Sequence, residues 1–202
     1  MNINEYISSG VLEQYVLGTI SEEELLVVEQ MADTYPEVTE EILSISYVLE
    51  QYAIENAVAP SRTIKPFIMA TIDFMERMGG GEQPSFPPVL NENSQLIDFA
   101  PWLQREDMVL PFGAGDLYAK IIGYTPEVTT AIVWIKGAAP AETHDKEYEK
   151  FLIVEGTCNI LVEDNVYQLV PGDYFAIPLH KSHQVIVTSS IACKVILQRI
   201  AA

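Results

Sequence analysis

The 202-residue chain contains three histidines, His144, His180 and His183, and all lie in its second half. Imidazole titrates near neutral pH and is the commonest protein ligand for metals, so its neighbours decide what it can do. A lone histidine is ordinarily structural, but these have ligand-like company. Glu142 and His144 are two apart, so on an extended chain both side chains project to one face. Glu149 follows after four residues, and six more lead to Gly156. Further on, Gly172, Pro178 and His183 punctuate the stretch PGDYFAIPLHKSH. Carboxylates and imidazoles that converge in this way are donors for a divalent cation.

Such donors need stiff elements to hold them, and the flanking sequence reads as strands. TTAIVWIKG, YEKFLIVEG, TCNILVED, VYQLVPG, YFAIP, HQVIVTS and CKVILQRI are short, rich in β-branched residues and separated by Gly, Pro, Asn or Asp. Their regular spacing predicts an antiparallel sandwich or barrel. Trp134, Tyr148 and Phe151 are candidates to line its cavity. Cys158 and Cys193 sit in apolar runs and are too few for a disulfide scaffold; they read as reduced core residues.

Before residue 79 the grammar is helical. Ser9 can cap VLEQYVL, which stops at Gly18, and Ser21 with Glu24 forms a capping box ahead of EEELLVVEQMAD. Pro36 suits a first helical turn, after which Val38, Ile42, Ile45, Leu49 and Tyr52 mark one apolar face. A last helix after Pro60 is expected to bury Ile64, Phe67, Ile68, Ile72 and Met75. The predicted architecture is two-domain α+β: a helical unit over 1–78, a Gly/Pro linker over 79–95 and an antiparallel β-barrel over 96–202.

The chain carries 29 acidic and 11 basic residues, a formal charge of −18. That balance argues against nucleic acid and anionic membrane surfaces, whose binding needs basic faces. Residues 1–78 hold 14 acidic and three basic side chains, so the helical unit is the more acidic per residue. It reads either as a solvated helix face or as a docking surface for a basic protein. No run reaches the ~18 apolar residues of a membrane span, and MNINEYISSG lacks the basic and apolar regions of a signal peptide, so the expected location is the cytoplasm.

The spacing of the two histidine-bearing stretches resembles the paired motifs of the cupin superfamily, roughly G, H-x-H, x3–4, E, x6, G and then G, x5, P, x-G, x2, H. The resemblance covers about residues 96–202 and implies a double-stranded β-helix, or jelly roll, with one bound metal. By position, Glu142 takes the place of the first histidine, His144 the second, Glu149 the glutamate and His183 the last histidine. His180 occupies the place of a glycine and is only an alternative ligand. A Glu142, His144, Glu149, His183 set offers two nitrogens and two oxygens. Such a set suits zinc, iron, manganese or nickel, and donor types alone do not choose among them; zinc is the expected ion. Lys146 either offsets surplus carboxylate or is simply exposed. Cupins commonly pair, so the resemblance also implies a homodimer through this domain.

SSGVLEQYVLGTISEEELLVVEQMADTYPEV resembles the start of anti-sigma factors, which often read S-G-x-L-E-x-Y-V-L-G followed by S-x-x-E. A helical unit of this kind ahead of a cupin is similar to the ChrR-type anti-sigma factors, which hold an extracytoplasmic-function sigma factor and sense stress through the cupin. The His-x3-Cys-x2-Cys zinc site of those helical units has no counterpart, because no His precedes His144 and no Cys precedes Cys158. Leu12, Tyr15, Val16, Leu25 and Val28 are the residues expected to touch the sigma factor or to build the helical core.

Three functions follow. The first is a cytoplasmic anti-sigma regulator with a metal-binding sensor domain. The second is a metal-dependent cupin enzyme, such as a dioxygenase, hydrolase or isomerase, acting on a small organic acid or carbonyl compound. The third is a non-catalytic binding protein that dimerises through its strands.

Overall fold

The structure, a computed structural model, describes residues 2–202. Contacts divide the chain into two compact units, Met1–Ala59 and Pro60–Ala202. The boundary expected after residue 78 therefore falls about twenty residues earlier.

The first unit is helical, with α1 (Ile3–Ile7), α2 (Val11–Val16), α3 (Glu22–Thr34) and α4 (Pro36–Glu55). The capping box is present: Ser21 Oγ accepts from the Glu24 amide at 3.3 Å and the Ser21 amide donates to Glu24 Oε2 at 3.2 Å. Three glutamates in that first turn also favour the positive end of the helix dipole. Pro36 occupies the first turn of α4 as expected. Gly10, not Ser9, takes the N-cap of α2, because its φ of 84° turns the chain into the helix as glycine readily does. Leu12, Val28 and Val38 form the core, with Ile42 and Ile45 packed against it. Tyr52, expected on the same face, is 66% exposed because the core covers only the first half of α4.

The second unit opens with α5 (Ile64–Gly79), then a 3-10 turn over Leu96–Phe99, α6 (Ala100–Leu103) and eight strands. These are β1 (Leu117–Tyr124), β2 (Val128–Ile135), β3 (Glu147–Glu155), β4 (Cys158–Val162), β5 (Asn165–Leu169), β6 (Tyr174–Ile177), β7 (His183–Val187) and β8 (Cys193–Ala201). The strands form two antiparallel sheets, ordered β1-β2-β8-β3-β6 and β5-β4-β7, which fits the expected α+β class. Val133, Ile135, Phe151, Ile160, Val185, Val195 and Leu197 fill the interior. Cys158 and Cys193 are free and buried there, as expected.

Helix α5 packs on β1, and of the five residues expected on its buried side only Phe67 reaches the core. Ala70 is 2% exposed and Phe67 and Phe74 join the core, whereas Ile64, Ile68, Ile72 and Met75 are exposed. The apolar arc of the helix is wider than the line it buries, so spacing alone does not choose that line. Small Ala70 permits close approach, and Arg77 on the same line donates to the Ile121 carbonyl.

Nor is 79–95 a free linker; it packs on the five-stranded sheet. Leu90 is fully buried with Phe99, Leu152 and Ile196. The buried Gln198 amide accepts from the Leu90 N–H at 2.7 Å and donates to the Pro88 carbonyl and Thr130 Oγ1. Ser85 Oγ donates to the Ile122 carbonyl at 3.0 Å, and Gly123 leaves room for Pro87, which a Cβ there would strike. Among the described residues, no helix is long and apolar enough to cross a membrane.

Candidate metal centre

Four of the predicted residues are brought to one place by three pieces of backbone. Glu149 projects from β3 and His183 opens β7. Glu142 and His144 lie on the β2–β3 connection, which is bound to β7 rather than left loose. The Glu142 and His183 backbones exchange two 2.9 Å hydrogen bonds, and the His180 amide donates to the His144 carbonyl at 3.0 Å. The connection thus takes on strand geometry where its side chains matter.

His183 Nε2 lies 2.9 Å from Glu149 Oε2, and His144 Nε2 lies 3.4 Å from the same oxygen. One donor atom from each of His144, Glu149 and His183 lies within 4.8 Å of the others. The His144 and His183 rings tilt across a centroid distance of 5.2 Å. His144 Nε2 and His183 Nδ1 are buried and form no well-aligned hydrogen bond. Two imidazoles and a carboxylate converge here, each imidazole with a buried nitrogen that has no hydrogen bond, and such a set fits a divalent cation.

Glu142 stands at the edge of this group. Its Oε2 is 3.6 Å from His144 Nε2 but accepts from Arg199 Nη2 at 3.2 Å, and its Oε1 is buried without a partner. Arg199 also donates through Nε to Glu149 Oε1 at 3.1 Å. Burial alone would raise the Glu149 pKa; the close contacts with His144 and His183 and the Arg199 charge outweigh it and hold the carboxyl well below the usual range. Contact with Glu149, more than the Coulomb attraction of the carboxylates, raises the His144 pKa against its own burial.

A cavity of about 40 Å³ adjoins the centre, with Glu142, Glu149, His183 and Arg199 among its lining and Phe67 and Phe151 among its apolar wall. A second, of about 170 Å³, is lined by Phe67, Ile121, Thr129, Leu197 and Arg199 among others. Of the three aromatics expected at the cavity, only Phe151 lines it. Trp134 packs with Met108, Ile122 and Ile132 in a separate cluster, because it alternates with the inward Val133 and Ile135. Tyr148 is 44% exposed. His180 points away: it is exposed, adopts a φ of 61° and pairs with Asp145 at 3.0 Å. In the helical unit Leu12 and Val28 are core residues, Tyr15 and Val16 are half-buried, and Leu25 is at the surface.

Arg199 escaped the sequence reading, and Phe67 was expected only as a buried helix residue, not at this site. Arg199 carried a signal, since it continues the inward alternation of Val195 and Leu197 in CKVILQRI and is the cation on that face. Phe67 lies in a helix distant in sequence from every motif, and only packing brings its ring to 4.7 Å from Arg199 Cζ.

Residues 131–198 match the family model for the cupin domain. No curated protein matches the chain significantly. Among solved structures, the chain is similar to KdgF from Halomonas sp. at 20% identity over 47% of this chain and 90% of that one, with a TM-score of 0.41. An RmlC-like cupin from Shewanella frigidimarina NCIMB 400 gives 21% over 48% and 88%, also at 0.41. The cupin domain of Schizosaccharomyces pombe Cnp3 gives 13% over 44% and 67%, again at 0.41.

Proposed function

We propose that this cupin-domain protein is a cytoplasmic regulator of the ChrR anti-sigma type, in which the helical unit sequesters an extracytoplasmic-function sigma factor and the cupin domain is a metal-dependent sensor. One observation carries the reading: residues 1–59 contain 12 acidic side chains and no Lys, Arg or His. The same unit leaves Leu26, Leu43, Tyr47, Val48 and Tyr52 exposed. Uniform negative charge with interspersed apolar side chains suits a basic, amphipathic helical partner. Without the family's zinc site, apolar packing around Leu12, Val28 and Val38 holds the helices together.

In the cupin domain His144, Glu149 and His183 would hold the metal, with Glu142 beside them; a bound divalent cation supplies Lewis acidity and a fixed positive charge. Arg199 keeps Glu149 ionised and oriented, and Phe67 limits water at the guanidinium. A change in metal state alters regulation only if the metal binds the sequestering and released states with different affinity.

The test is to mix the full chain with the host's extracytoplasmic-function sigma factors and follow complex formation and transcription from their promoters. A stoichiometric complex that blocks transcription is expected; no effect on any of them overturns the reading. A metal-dependent cupin enzyme is the second reading, favoured by a two-histidine, one-carboxylate group beside a cavity. Turnover of a small organic acid or carbonyl compound by the metal-loaded protein would support it, and its absence across a broad panel would count against it.

A further inference from the structure

Arg199 has binding capacity that the metal centre does not use. A guanidinium carries five N–H donors in a planar fork. Here Nε is committed to Glu149 and one Nη2 hydrogen to Glu142, while Nη1 donates to nothing among the described residues. The Nη1/Nη2 edge keeps one hydrogen on each nitrogen free, and such an edge can bind a carboxylate bidentately. Phe67 covers the guanidinium at 4.7 Å and holds its plane. The residue lines both cavities, and the larger, of about 170 Å³, has Phe67, Ile121, Ala131, Leu197, Thr71 and Thr129 in its lining. Thr71 Oγ1 is spent on the Phe67 carbonyl, whereas the Thr129 hydroxyl has no partner among the described residues. Glu147 stands exposed at the rim, where solvent screens it.

Charge selects the ligand. With exposed Glu147 left to solvent, the formal charges of Glu142, Glu149 and Arg199 sum to minus one, so a bound divalent cation leaves one positive charge beside apolar walls. A single negative charge restores neutrality.

We infer that the larger cavity is a binding site for a small monocarboxylate with a short apolar body, its carboxylate on the Nη1/Nη2 edge of Arg199 and its body against Phe67, Ile121 and Leu197. The site is distinct from the metal's own coordination positions and gives the sensor domain an organic ligand. The inference rests on metal occupancy at His144, Glu149 and His183.

Two measurements on the full chain separate these layers. Equilibrium dialysis with Zn²⁺ reads the metal centre alone, and calorimetric titration of the zinc-loaded protein with butyrate, against neutral butyramide, reads the cavity. Expected are one butyrate per chain, at least tenfold weaker binding of butyramide, and at least tenfold weaker butyrate binding in Arg199→Lys, which keeps the charge and loses the fork. Thr71→Phe, an exposed helix position whose ring would fill the cavity, is expected to bind zinc normally and butyrate not at all. Zinc binding without butyrate binding overturns the ligand site and leaves the metal centre standing; failure to bind zinc overturns both. Equal binding of butyrate and butyramide, or full butyrate binding by the folded Arg199→Lys and Thr71→Phe proteins, also overturns it.

Discussion

His180 shows how one residue can sit in a motif without serving its chemistry. It occupies a left-handed conformation, φ 61°, at a place where the cupin pattern has glycine. A side chain there costs about 1–2 kcal/mol, partly offset by the greater chain entropy glycine loses on folding. Its pairing with exposed Asp145 returns little. His180→Gly is therefore expected to stabilise the protein by about 0.5–1 kcal/mol without changing zinc affinity, as urea unfolding and dialysis would show. The same scale explains what the sequence could reveal of the centre. His144, Glu149 and His183 were legible because strand alternation and motif spacing constrain them locally. Glu142 was legible as a neighbour, but its pairing with Arg199 depends on a residue 57 positions away.

At the scale of elements, the segment before the strands carries the largest correction. Residues 79–95 look like a linker by composition, yet Gln198 fastens them to β2 and β8 through a fully buried amide. Gln198→Ala would strand the Leu90 N–H and Thr130 hydroxyl, each at about 1–3 kcal/mol. A loss of about 2–3 kcal/mol in chemical denaturation is expected. Proline and glycine content reports backbone conformation, not whether a tertiary partner awaits. Helix α5 is fastened by charge as well. Glu82 accepts from Arg77 on α5 at 2.8 Å and from Arg105 at 2.6 Å. The Arg105 hydrogen bond above all, against partial desolvation, lowers its pKa to about 2 from 4.5. A carboxyl depressed on folding contributes stability above its unfolded pKa and loses it as pH falls. The clamp is thus intact above about pH 4.5 and gone below about pH 2. After solvent screening it is worth about 1 kcal/mol. Comparing urea stability at pH 7 and pH 3, which lies inside that window, the wild type should lose about half that much more than Glu82→Gln, and equal losses would exclude the clamp.

For the whole molecule, the division into a helical and a strand-built part was legible from periodicity, because 3.6- and 2-residue repeats differ over long runs. Its exact place was not, since α5 repeats like the helices before it and packs with the strands after it. The shift concentrates charge: the first unit becomes purely acidic, with 12 acidic and no basic side chains. Association with a basic partner should then be strongly salt-dependent. Between about 0.05 and 0.5 M NaCl, the association rate for a cognate sigma factor is expected to fall about tenfold or more, with a smaller change in dissociation. Stopped-flow measurements on the full chain would check this, and a flat profile would exclude electrostatic steering.

The strand order sets a schedule for biosynthesis. β8 is the last strand in the chain, yet it lies between β2 and β3 at the centre of the five-stranded sheet. That sheet cannot close until Cys193–Ala201 has left the ribosome, whereas the first unit draws its contacts from its own first 59 residues. At about 5–20 residues per second, the roughly 140 intervening residues take about 7–30 s to synthesise. Each newborn molecule passes through an interval in which its acidic helices are complete while its sheet has no middle.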